Sequence, residues 1–79
     1  MPRKTTPPSM TIENRIKALR FGHDQMTQQE LADRIGVSRQ TVHAIEGGKY
    51  APSLEVAFRV AQVFGKPVEE VFLCSTEPG

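Results

Sequence analysis

Residues 27–46 read TQQELADRIGVSRQTVHAIE, and no other stretch limits the fold of this chain as tightly. Thr27-Gln28-Gln29-Glu30 has the spacing of a capping box, in which the threonine hydroxyl and the glutamate carboxylate satisfy free amides at a helix start. Leu31, Ala32 and Ile35 then give one apolar helical face. Gly36 stands where a left-handed residue ends a helix. Val37 is an apolar plug in the turn, and Ser38 is the next N-cap. Val42 and Ile45, three apart, point inward from a second helix. Two helices, 28–35 and 39–46, are thus joined by about three residues. So short a junction forces a sharp corner, with Ala32 small where the helices cross and Gly36 free to take a positive φ.

The flanking sequence supplies the rest of a small helical domain. Thr11 is expected to cap a first helix carrying Ile12, Ile16 and Leu19 at helical spacing, broken at Gly22. Ser53 caps a fourth helix, in which Leu54, Ala57, Val60, Ala61 and Phe64 recur every three or four residues. Gly65 ends it. Pro67 is suited to the first turn of a short fifth helix that carries Val68, Val71, Phe72 and Leu73. No stretch alternates like a strand, so the expected architecture is all-α: five helices, no sheet, and a helix-turn-helix formed by the second and third. Residues 11–74 are expected to be the domain. Residues 1–10, rich in proline and threonine, read as a flexible tail, and 75–79 as a fraying end.

Composition narrows the function. A 79-residue chain is one small domain. At this size only roughly 60% of the unfolded surface is buried, so the core is thin and pairing with a second copy is a natural way to enlarge it. The lone cysteine, Cys74, leaves no internal disulfide. No apolar run approaches the roughly 18 residues of a membrane span, and residues 1–10 have no apolar signal segment, so a cytoplasmic location is expected. The net charge is only +1, but its distribution is uneven. Arg3, Lys4, Arg15, Lys17 and Arg20 face only Glu13 within residues 1–20, whereas Glu69, Glu70 and Glu77 close the chain. One cationic face is the expected result.

Catalytic and metal chemistry find no support. His23 and His43 are not at ligand spacing, Cys74 stands apart, and no serine or cysteine has an evident base. No enzyme activity, metal or cofactor is expected. The outward edge of the helix 39–46 offers something else. With Val42 and Ile45 inward, Arg39, Gln40, His43 and Ala44 face out. Arginine can reach guanine O6 and N7 with two hydrogen bonds, and glutamine can do the same for adenine N6 and N7. A helix-turn-helix presents its second helix to the DNA major groove in this way.

From about Ile12 to Leu73 the chain resembles the Cro and phage-repressor type of helix-turn-helix domain, the XRE family, in the spacing of Gln28, Ala32, Gly36, Val42, Ile45 and Glu46. The resemblance implies a small stand-alone transcriptional regulator, a repressor, that binds double-stranded DNA. It implies base contacts by Arg39, Gln40, His43 and Ala44. Gln28 is similar to a residue that grips a phosphate and braces the recognition helix at Gln40. Ser38, Lys49, Tyr50 and Ser53 are the further phosphate-contact positions, and Arg20 with Glu46 is similar to an ion pair joining the first and third helices. Gly47, where the family usually has a polar residue, and Ala44, which offers only a methyl group, depart from the pattern. Both leave base preference to Arg39, Gln40 and His43.

The apolar residues late in the chain exceed what one short helix needs, so Phe58, Val68, Val71, Phe72 and Leu73 are the expected homodimer interface. A competing reading is an interaction module similar to the antitoxins of this family, with the C-terminal helices covering a protein partner.

Overall fold

The computed structural model describes residues 10–76. It contains β1 (Met10–Asn14), α1 (Ile16–Gly22), α2 (Gln28–Ile35), α3 (Arg39–Glu46), α4 (Leu54–Phe64), α5 (Val68–Val71) and β2 (Phe72–Thr76). The proposed tail residues 1–9, and the end from 77 onward, lie outside the described residues.

Local signals placed the three central helices, α2, α3 and α4, well. Thr27 accepts from the Glu30 amide, and the Glu30 carboxylate accepts from the Thr27 amide at 2.8 Å, completing the capping box of α2. Gly36 closes α2 at φ 78°, with the Gly36 and Val37 amides both donating to the Ala32 carbonyl. Ser38 and Ser53 cap α3 and α4 through their hydroxyls. Leu31, Ala32, Ile35, Val42, Ile45 and Val60 form the buried centre, where α2 packs on both α3 and α4. Each large aliphatic side chain removed from water here contributes about 1.5–3 kcal/mol.

The two ends of the domain depart from the sequence-based expectation. Residues 10–14 are extended and pair antiparallel with 72–76, in the register Ile12↔Cys74, Glu13↔Leu73 and Asn14↔Phe72. Ile12 is therefore a strand residue, and Thr11 is not the cap of α1; the N-cap is Arg15, with no side-chain cap bond. Phe72 and Leu73 likewise leave the fifth helix for β2. The pairing competes successfully because Asn14 fixes the corner. Its Oδ1 accepts from the Ile16 amide at 3.2 Å, while its Nδ2 donates to the Ile45 carbonyl at 2.9 Å. The Arg15 amide extends the ladder to the Val71 carbonyl at 2.9 Å. The sheet takes in Met10, Ser75 and Thr76, stretches expected to be tail or fraying end. Among the described residues no helix is long and apolar enough to cross a membrane.

Candidate nucleic-acid interface

The site is built on α3, held by α2 from one side and α1 from another. Val42 and Ile45 are buried, which turns Arg39, Gln40 and His43 to the exposed face and leaves Ala44 half-buried at its margin. The four candidate base readers therefore share one side of one helix. Ala44 also serves the backbone, since its carbonyl accepts from the Lys49 amide at 3.0 Å. That bond and Gly48, at φ 75°, fold the chain back after α3 and leave the Lys49 side chain exposed.

A buried ion pair anchors this face. Arg20 Nε donates to Glu46 Oε2 at 2.6 Å and Arg20 Nη2 donates to Glu46 Oε1 at 3.0 Å. Both side chains are only 8% exposed. The third guanidinium nitrogen of Arg20 is used as well, with Nη1 donating to the Met26 carbonyl at 2.7 Å. One guanidinium thus ties α1 to the end of α3 and to the loop before α2. Removing such a pair's charges to low dielectric offsets much of their attraction, so its main effect is geometric: it sets where α3 sits.

Gln28 opens α2 beside this pair. Its Nε2 donates to Glu46 Oε1 at 3.2 Å and lies 3.4 Å from His43 Nδ1. The expected brace at Gln40 is thereby corrected: the hydrogen bonds of Gln28 run to His43 and Glu46, about one and two turns further along α3. The carboxylate that Arg20 holds in place draws the amide towards it. Lys17, from α1, lines the same recess with Gln28, His43 and Gly47.

The remaining candidates are placed as follows. Ser38 Oγ accepts from the Thr41 amide at 3.1 Å and shares a hydrogen bond with Thr41 Oγ1, and Ser53 Oγ accepts from the Val56 amide at 3.2 Å. Both hydroxyls are thus engaged as caps, at exposed positions. Tyr50 is 52% exposed and borders a recess with Ile12, Pro52 and Phe72. The expected dimer set divides. Val71 is fully buried in the core, so it has no surface to offer a second copy and is removed from that set. Phe72 is half-buried against the core. Phe58 is 52% exposed and lines an apolar groove with Ala61, Pro67 and Val68. Leu73 is half-buried and pairs with Glu13 on the sheet.

Two contributors escaped the sequence reading. Asn14 holds the C-terminal end of α3 through the Ile45 carbonyl, a role invisible while residues 11–14 were read as helix. Arg59 donates from Nη1 to the Ile35 carbonyl at 3.1 Å and from Nη2 to Glu55 at 2.6 Å, bracing the helix-turn-helix corner from α4. Its i,i+4 spacing from Glu55 was the one available signal. Among the described residues no group of three or more His, Cys, Asp or Glu side chains could hold a metal.

Comparison with known proteins agrees with this fold. Residues 16–71 match the family described as Helix-turn-helix. An uncharacterised HTH-type transcriptional regulator of Methanocaldococcus jannaschii is 48% identical over 62 residues, 78% of this chain and 92% of that protein. The HTH-type regulator YgzD of Bacillus subtilis is 41% identical over 68 residues, 84% of this chain and 98% of its own. The transcriptional repressor RstR of the cryptic phage CTXphi, from Vibrio cholerae, is 36% identical over 60 residues, 76% of this chain and 53% of the repressor. Among solved structures, a proposed DNA-binding protein from Bacteroides fragilis superposes with a TM-score of 0.66 at 28% identity, over 77% of this chain and 97% of that one. The regulator VanUg shares the fold, with a TM-score of 0.69 at 17% identity over 96% of this chain and all (100%) of that one.

Proposed function

This chain belongs to the helix-turn-helix family of transcriptional regulators, and on that premise we propose that it is a sequence-specific repressor that binds double-stranded DNA as a homodimer. The observation that carries the proposal is the division of α3: Val42 and Ile45 are sealed in the core while Arg39, Gln40 and His43 stand exposed on one side. An arginine and a glutamine on an exposed helical edge match the acceptors and donors of guanine and adenine in the major groove. In this reading α3 lies in the groove, Arg39, Gln40 and His43 meet base edges, and the Ala44 methyl clears or touches a thymine methyl. Ser38, Lys49, Tyr50 and Ser53 meet phosphates in this reading, Gln28 does so through its main-chain amide at the start of α2 because its side-chain amide is engaged by Glu46 and His43, and Lys17 adds a further cation.

The homodimer is proposed on the groove of Phe58 and Val68, with the half-buried Phe72 and Leu73 of β2 as further candidates for the interface. A second copy would place two α3 helices about 34 Å apart, one helical turn of DNA, and so select a pseudo-palindromic operator. A protein that works on DNA in this way belongs in the cytoplasm. Binding measurements on two variants test the assignment. Arg39→Ala is expected to lower specific affinity by about 1–3 kcal/mol and to relax preference at one base pair. Lys49→Ala is expected to weaken matched and scrambled sequences alike and to reduce the salt slope by about one unit. Identical behaviour of the two variants on both sequences would overturn the assignment of Arg39 as a base reader.

A further inference from the structure

We infer that Gln28 is a positioning residue that fixes the tautomer of His43, so that His43 offers the groove a hydrogen-bond donor and selects against cytosine at the base it reads. The base selection rests on the proposed DNA-binding function; the tautomer does not.

The inference starts from Glu46. Its carboxylate is pinned by two guanidinium nitrogens of Arg20, at 2.6 and 3.0 Å, and is almost wholly buried. A carboxylate only accepts hydrogen bonds. Gln28 presents its amide to Glu46 Oε1 at 3.2 Å. Were that amide turned over, its carbonyl oxygen would face the carboxylate oxygen with no proton between them. The pinned carboxylate therefore decides which end of Gln28 is nitrogen.

An amide nitrogen has two hydrogens and no acceptor capacity. One goes to Glu46. The same Nε2 lies 3.4 Å from His43 Nδ1, a long contact that is favourable only if Nδ1 accepts. In a neutral imidazole one nitrogen accepts and the other carries the proton. With Nδ1 accepting, the proton sits on Nε2, across the ring, at an exposed position of α3. The chain of constraint runs Arg20, Glu46, Gln28, His43, from the core to the exposed edge.

A neutral N–H donor on the groove side discriminates among bases. Guanine N7 and O6, adenine N7 and thymine O4 accept there, whereas cytosine shows only its N4 amino donor. His43 in this form pairs with any of the first three and meets cytosine donor to donor. The other tautomer would turn Nε2 into an acceptor and reverse the preference.

The first readout uses the free protein. Long-range 1H–15N spectra of histidine-labelled protein at about pH 8, where an ordinary imidazole is neutral, distinguish a protonated Nε2 from a protonated Nδ1. The wild type is expected to show His43 protonated at Nε2. Gln28→Met, which keeps the side-chain length and removes the donor, is expected to raise the share of the Nδ1-protonated form, as is Gln28→Ala. The second readout is site selection from random duplexes. The wild type is expected to exclude cytosine at one position of each half-site, and Gln28→Met to relax that exclusion by about two- to tenfold, the worth of one neutral hydrogen bond. His43→Ala is expected to abolish it. An unchanged tautomer ratio in both Gln28 variants would overturn the positioning role, whatever the protein binds. A ratio that responds as expected, with no enriched DNA site, would leave the tautomer lock standing and overturn the base selection together with the DNA-binding reading.

Discussion

Separating Arg20 from Glu46 is the most informative perturbation of the fold. The two side chains meet through two hydrogen bonds at 2.6 and 3.0 Å and are each 8% exposed. Removing one partner leaves the other charge buried without compensation, which costs about 3–5 kcal/mol. Arg20→Met also strips the Met26 carbonyl of its 2.7 Å donor, which pushes the cost to the upper part of that range. A 79-residue domain has a total stability of about 4–12 kcal/mol at typical values per residue. The single variants Arg20→Met and Glu46→Leu are therefore expected to lose a large share of it. At about 4–8 °C per kcal/mol, the melting temperature falls by roughly 12–40 °C. The double variant Arg20→Met with Glu46→Leu removes both charges and fills the space with apolar atoms, and is expected to recover most of the loss. Urea unfolding of all four proteins at one fixed protein concentration gives the coupling energy directly. A single-variant cost below about 1 kcal/mol, the value of an exposed pair, would refute the buried-anchor account. So would a double variant as unstable as the sum of the two singles.

Two further outcomes are expected from substitutions away from that pair. Gly36→Ala should cost about 1–2 kcal/mol in urea unfolding, because φ is 78° and the added methyl would sit 3.2 Å from Arg59 Nη1, whereas Gly22→Ala, in open space within α1, should be neutral or slightly stabilising. Phe58→Asp should shift sedimentation towards monomer while leaving the helical circular dichroism intact, since Phe58 is 52% exposed; a dimer that survives the charge would place the interface elsewhere.

The parts of the structure legible in the sequence are those governed by short-range chemistry. The capping box of Thr27 and Glu30 involves residues three apart, and the Gly36 turn needs only a positive φ, so both could be read directly. The inward pair Val42 and Ile45 fixed the outward set by helical geometry alone. The sheet was not legible because its partners lie some sixty residues apart and neither strand alternates cleanly. Ile12 fits a helical spacing with Ile16, and only the pairing with Cys74 reveals it as strand. Val71 could not be assigned to core or interface from its apolar character, because both demand it; the fold decides by burying it completely. The path of Gln28 was hidden for a similar reason. Its approach to His43 and Glu46 depends on Arg20, which comes from another helix and orients the carboxylate. The Arg20–Glu46 pair itself was anticipated only through the family resemblance, since nothing local joins residues 26 apart.

The central claim is that the exposed edge of α3 reads a specific DNA sequence. Selection of binding sites by the purified protein from a random duplex pool, at near-physiological salt, tests it most directly. The expected result is a two-fold symmetric site whose half-sites lie about one helical turn apart, the spacing set by two recognition helices in a dimer. Binding that is weak, salt-sensitive and free of sequence enrichment would contradict the claim. It would turn attention to the groove of Phe58 and Val68 as a docking face for a protein partner.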